Sequence, residues 1–239
     1  MSYIFRAFRA VDEPKSCIEF HEGHTKILVE LGILNLTSNV PLWMEDEDVL
    51  VISALDAMSG ELVGGIRLHK YNSKFPLPVV EAVKAQDHRV LELFESLKES
   101  GAVESCGLWN SKKVFGRGIS PLLARCSIAL SASLNPRNVF CFSAPYTLRM
   151  IMRLGFSYVE EVGDNGKFNY PTEKFVSTIL RIEDLYSLER ADAQERERIF
   201  SLMQSPVQEH LESSQGKELL VNYNLIAEID VEERRHEHS

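Results

Sequence analysis

Residues 102–156 read as strand, glycine-rich turn, helix, strand, helix, and the turn is Lys113-Val114-Phe115-Gly116-Arg117-Gly118-Ile119-Ser120. A Gly-x-Gly turn that leaves a strand and opens an amphipathic helix sets unpaired backbone N–H groups at a helix N-terminus. The helix dipole adds partial positive charge at the same place, so such a turn is an anion site. A dinucleotide loop would need Gly-x-Gly-x-x-Gly and an acid on the next strand. Here Pro121 follows Ser120, and the next apolar run, 138–143, carries no acid. A P-loop would end in Gly-Lys-Ser or Gly-Lys-Thr, which is absent. The pattern predicts a phosphate-holding turn that is neither of these.

Around that turn the chain has the means to build a substantial core. It has 239 residues, 44% of them apolar and 26% charged, enough for one domain with an appendage. It has no apolar run of about 18 residues, so no membrane span is expected. The first residues lack the apolar core of a signal peptide. Cys17, Cys106, Cys126 and Cys141 show no Cys-x-x-Cys spacing, which suits reduced thiols and a cytoplasmic setting. A net charge of −9 argues against nucleic acid as a partner and is compatible with an amine substrate.

Residues 3–10 alternate as a first strand, and Asp12-Glu13-Pro14 opens a helix expected over 14–31, ending at Gly32. A polar loop over 35–48 contains Pro41 and Trp43. Strands over 48–55 and 62–71 form a hairpin across Gly60, and 79–100 holds one or two helices. Strand 102–110 feeds the turn. After the long helix come strand 138–143, helix 145–154, strand 157–162 and a last core strand over 175–182. Pro145 suits a first helical turn and Gly155 a helix end.

Lys113-x-x-Gly116-x-Gly118 resembles the Gln/Arg-x-x-Gly-x-Gly/Ala motif of the GNAT superfamily of acyltransferases, and Arg153-Leu154-Gly155-Phe156 is similar to that family's Gly-Phe ending of the following helix. The element order over 3–182 matches as well. The resemblance implies a GNAT-like α/β fold: a mixed, mostly antiparallel central sheet with splayed fourth and fifth strands and helices on both faces. It also implies acetyl-CoA or another acyl-CoA as cosubstrate and no metal. The pantetheine would pair with backbone groups of Leu108, Trp109 and Asn110. The diphosphate would meet the amides of Val114, Phe115, Gly116, Arg117, Gly118, Ile119 and Ser120, with Lys112, Lys113 and Arg117 adding charge.

Trp43, the acidic run Glu45-Asp46-Glu47-Asp48 and Gly64-Gly65-Ile66-Arg67-Leu68 are similar to the acyl-homoserine-lactone synthase branch, whose fourth strand carries Glu-x-Ser-Arg. Glu104-Ser105-Cys106-Gly107 lacks that arginine. Amine acylation needs a group that takes the amine proton. Glu104 is the acid on the central strand and the candidate base; the alternative is a solvated carboxylate on an outer face. The family's usual acid, a tyrosine, is replaced by Ile151, and its asparagine by Ala144. Tyr146 is the nearby substitute, or a helix-start packing residue. Arg67 either meets a substrate carboxylate or pairs across the sheet surface. Asp46 and Asp48 either recognise an ammonium or are solvated, and Trp109 is a cleft wall or core residue. His21 and His24, at i and i+3, lack a third ligand.

Beyond residue 182 the composition shifts. Residues 183–213 are rich in Glu, Arg and Gln and read as one or two amphipathic helices broken near Pro206. A closing strand is expected over 219–229 and a disordered tail over 232–239. The division is therefore 1–182 for the acyltransferase domain and 183–239 for an extension, expected to contact a second copy of the chain. The function expected is N-acyl transfer, acetyl by preference, from acyl-CoA to a small-molecule amine. The alternatives are a synthase taking its acyl group from an acyl carrier protein and a degenerate coenzyme A sensor without catalysis.

Overall fold

The computed structural model describes residues 1–33, 36–72, 74–214 and 216–227. In chain order the elements are β1 (Ser2–Arg9), α1 (Pro14–Glu30), β2 (Val49–Asp56), β3 (Leu62–Lys70), α2 (Pro78–Val83), α3 (Arg89–Ser96), β4 (Ala102–Asn110), α4 (Ile119–Ser131), β5 (Asn138–Ser143), α5 (Leu148–Arg153), β6 (Ser157–Tyr158), β7 (Lys167–Asn169), β8 (Val176–Ile182), α6 (Ala193–Gln204), β9 (Val207–Ser214) and β10 (Lys217–Asn224). The sheet runs β6-β8-β5-β4-β3-β2-β1-β10-β9, with β7 also on β8. Two neighbouring pairs are parallel, β1 with β10 and β4 with β5. The fold is the expected mixed α/β one.

Both faces of the sheet are covered, which explains why β2 reads as a continuous apolar run. Tyr3, Phe5 and Ala7 of β1 and Leu50, Ile52 and Ala54 of β2 pack with Leu122, Leu123 and Cys126 of α4. Phe8, Val49 and Val51 point the other way, onto Cys17 and Phe20 of α1 together with Trp43 and Trp109. Further along that second face, Val80, Val83, Val90 and Phe94 from α2 and α3 cover Ala102, Phe140 and Ile179. Helix α4 is buried nearly all round because α6 lies on its outer side.

Residues 183–227 continue the same sheet. β10 lies parallel beside β1, from Ser2↔Leu220 to Arg6↔Asn224, and β9 returns antiparallel to β10. A buried ion network ties them to the core. Arg125 of α4 bonds Glu195 of α6 at 2.8 Å and Glu212 of β9 at 2.7 Å, and Glu212 also accepts from Arg198 at 2.9 Å and from the Tyr223 hydroxyl at 2.8 Å.

Several bounds differ from the sequence expectation. The helical expectation for 183–213 holds for α6 alone, since 207–214 form β9. Strand 157–162 shrinks to Ser157–Tyr158, because Gly163, Asn165 and Gly166 all have positive φ and turn the chain. The helix after β5 begins as a single 3₁₀ turn at Pro145–Thr147. The expected tail over 232–239 lies outside the described residues.

Candidate active site

The central feature is where β4 and β5 part. They pair at Ala102↔Asn138, Val103↔Val139 and Glu104↔Phe140, and there the ladder stops. Both strands run on, β4 to Asn110 and β5 to Ser143, so a V opens at Glu104. On its other edge β4 stays bonded to β3. Arg67 pairs with Cys106 and Gly65 with Trp109, which leaves one extra residue on β4. Gly107, at φ +62°, sits in this bulge, and a Cβ there would come within 3.0 Å of the Arg67 guanidinium.

The strand leads into the glycine-rich turn. Gly116 and Gly118 take φ of +68° and +81°, and Gly118 is the residue before α4. The amides of Val114, Phe115 and Arg117 are already used, donating to the carbonyls of Ser111, Lys112 and Val114. The expectation that seven consecutive amides are free is thus corrected: local 3₁₀ bonding consumes three of them. Gly116, Gly118, Ile119 and Ser120 keep N–H groups with no acceptor among the described residues. The Ser120 hydroxyl donates to Asn110 Oδ1, which pins the turn to the end of β4.

The cationic side chains expected around the turn are engaged elsewhere. Lys113 bonds Glu61 at 2.7 Å, Lys112 bonds Glu30 at 3.1 Å, and Arg117 donates to the Tyr3 hydroxyl at 3.1 Å. The unpaired backbone amides and the α4 dipole add positive character beside these side chains.

Cross-strand pairing decides what flanks the V. Glu104 lies opposite His69 and Cys106 opposite Arg67, so these four side chains share the sheet face that α1 and α2 cover. Glu104 is buried, not solvated, and its Oε2 accepts the Val79 amide at 2.9 Å, at the start of α2. Burial pushes its carboxyl up to about 8, against the opposing pull of that bond and of Arg67. His69 is driven well below the ordinary histidine range by burial, with Arg67 adding to it, and is neutral. Arg67 is 1% exposed. Its Nη2 donates to the Ser38 carbonyl and its Cζ lies 4.1 Å from the Trp43 ring centre.

Of the two proposed catalytic side chains, Glu104 forms the last rung of the β4–β5 ladder. Tyr146 projects from the 3₁₀ turn and is 81% exposed. Tyr170, which the sequence reading did not single out, has a hydroxyl raised above the ordinary tyrosine range by burial, against the opposing pull of its Thr37 bonds. Its ring stacks on Phe142 of β5 at 5.1 Å, and its hydroxyl takes the Thr37 amide at 2.5 Å. Leu108, Trp109 and Asn110 lie on β4 past the last β5 pair, as expected. The Trp109 side chain is core, set edge-on against Phe20. His24 is buried beside Phe20, and Asp46 is buried as well, caught by the Asp48 amide.

No family profile matches the sequence, and no curated protein matches it. Solved structures do match. The N-acyl amino acid synthase FeeM from uncultured soil microbes superposes with a TM-score of 0.58 at 11% identity, over 79% of this chain and 94% of that one. The chain has the GNAT acyltransferase fold. The CoA-dependent acyl-homoserine lactone synthase BjaI, solved with SAM and isopentyl-CoA, covers 93% of this chain and 96% of its own at 14% identity, with a TM-score of 0.53. Arabidopsis thaliana NAA60, in complex with a bisubstrate analogue, reaches a TM-score of 0.51 at 16% identity, over 75% and 97%.

Proposed function

We propose that this chain is an N-acyltransferase that moves an acyl group, acetyl by preference, from acyl-CoA to the amine of a small molecule. The supporting observation is the end of the β4–β5 ladder at Glu104 directly upstream of a turn with unpaired amides. The opened β4 edge offers ladder groups to the two amides of pantetheine, as an added strand would. The unpaired amides of Gly116, Gly118, Ile119 and Ser120 are the donors for the diphosphate that would follow on from that strand. The neighbours with CoA ligands share this fold, which favours the same donor here.

In this reading the acceptor lies on the Arg67–Glu104 side of the V. Glu104, ionised, takes a proton from the ammonium group, directly or through one water. The freed nitrogen lone pair attacks the thioester carbon, forming the C–N bond and a tetrahedral oxyanion held by amides of the β4 bulge. Collapse breaks the C–S bond and expels the coenzyme thiolate. With an ordinary thiol pKa near 8.5, that thiolate departs readily and takes its proton from solvent or from Tyr170. The products are the amide and free CoA. Four unpaired thiols agree with a cytoplasmic setting.

Isothermal titration with CoA, acetyl-CoA and longer acyl-CoAs tests the donor site, and thiol release with a panel of amines tests transfer. Binding and amine-dependent thiol release support the reading. Binding without release leaves a coenzyme A sensor, and absence of binding refutes the donor site.

A further inference from the structure

One apolar side chain of the glycine-rich turn faces water. Val114 and Ile119 belong to the core, whereas Phe115 is 56% exposed. An exposed apolar side chain scattered singly on a surface needs no explanation. Phe115 has a setting that singles it out. It adjoins Gly116, the first of the four amides with no acceptor among the described residues, the others being Gly118, Ile119 and Ser120. Its own amide donates to the Lys112 carbonyl at 3.3 Å, and the Arg117 amide donates to the Val114 carbonyl at 3.1 Å. The backbone on both sides of the ring is therefore tied down, and buried Val114 anchors it to the core. A phenylalanine held outward in this way forgoes more than half of the burial it would gain on folding. The turn thus sets a flat apolar ring beside a set of anion donors. A nucleotide matches that pair of features, with phosphate oxygens for the amides and a base for the ring.

We propose that the Phe115 ring is the base platform of the donor site and stacks on the adenine of the acyl-CoA. The proposal rests on the acyltransferase reading and deepens its donor half: the site selects a donor that carries a nucleotide. A pantetheine arm tethered to a carrier protein has a single phosphate and no base, so it leaves the ring in water. Coenzyme A carries its base one ribose beyond the diphosphate, within reach of a side chain that adjoins the diphosphate's donors. A ring already fixed by its backbone loses little freedom when the base arrives. Stacking of a base on an aromatic side chain corresponds to about 5- to 150-fold in affinity when the ring is cut back to alanine.

The test is calorimetric titration of the full chain with CoA and with 4′-phosphopantetheine, which stops at the first phosphate. The wild type is expected to bind CoA more tightly by about tenfold or more. Phe115→Ala is expected to lose about tenfold in CoA affinity and to keep its affinity for 4′-phosphopantetheine within about twofold. It should melt with the wild type, because the ring it removes is exposed. Phe115→Trp is expected to retain CoA affinity and to gain indole fluorescence that CoA quenches and 4′-phosphopantetheine does not. Unchanged CoA affinity in Phe115→Ala, or an equal loss for both ligands, overturns the proposal, as does a wild type that binds the two ligands equally. A wild type that binds neither overturns the donor site itself and this proposal with it. Should Phe115→Ala fail to fold, Phe115→Trp decides: quenching by both ligands, or by neither, overturns the proposal.

Discussion

Replacing Glu104 by Gln is expected to stabilise the protein in base and not in acid. The native carboxyl sits near 8, against an unfolded value near 4.5. Between those values the native state holds a proton that the unfolded chain has released, so wild-type stability falls as pH rises from about 4.5 and the penalty is complete above about 8. A gap of roughly three and a half pH units at about 1.36 kcal/mol each sets the upper bound on the order of 5 kcal/mol. Glutamine keeps an oxygen for the Val79 amide but brings an NH₂ that needs acceptors, at a cost of about 1–3 kcal/mol. Urea unfolding should therefore find Glu104→Gln roughly 2–4 kcal/mol more stable than wild type at pH 9, and less stable at pH 5. The same variant should bind CoA normally and lose about 10²–10⁴ in kcat, along with the rise of kcat that the wild type shows on approaching pH 8. Equal destabilisation at pH 5 and pH 9 would mean that Glu104 is ionised and paired, and the buried-base argument would fail.

Other expectations follow from the same contacts. Gly118→Ala puts a Cβ at φ +81°, costing about 1–2 kcal/mol of stability, and should weaken CoA binding; calorimetry showing wild-type affinity would detach the turn from the diphosphate. Glu212 is buried among Arg125, Arg198 and Tyr223, and although burial raises its carboxyl, the Arg125 charge and the hydrogen bonds from Arg125, Tyr223 and Arg198 together outweigh it, so the net shift is downward. Its contribution is thus present above the unfolded carboxylate range and lost as pH falls through the native value. Glu212→Gln should cost about 3–5 kcal/mol at pH 7 and progressively less in acid, and a pH-independent loss in denaturation curves would contradict this. Tyr170→Phe should speed hydrogen exchange at the Thr37 amide, its partner at 2.5 Å, and unchanged protection would show that another contact holds that segment.

Local physics wrote part of this structure plainly into the sequence. β4 and β5 have the bounds that their apolar runs suggest, and the two glycines of the turn carry the positive φ that their spacing implies. Long-range pairing hid the rest. Gln208-Glu209-His210-Leu211-Glu212 are good or neutral helix formers, yet they form a strand because β10 offers a ladder and Arg125 a buried partner for Glu212. Lys113 and Arg117, read as charge around the turn, also meet Glu61 and Tyr3, partners 52 and 114 positions away. The burial of Glu104 depends on where α2 starts, and Tyr170 reaches Thr37 across 133 positions. No local pattern encodes either contact.

The donor site is tested most directly at its amides. Backbone ¹⁵N–¹H spectra recorded during CoA titration should show Gly116, Gly118, Ile119 and Ser120 moving downfield together, while Val114, Phe115 and Arg117, bonded within the turn, move far less. Saturating CoA that leaves the first group in place, or shifts resonances only outside residues 104–120, would contradict the account.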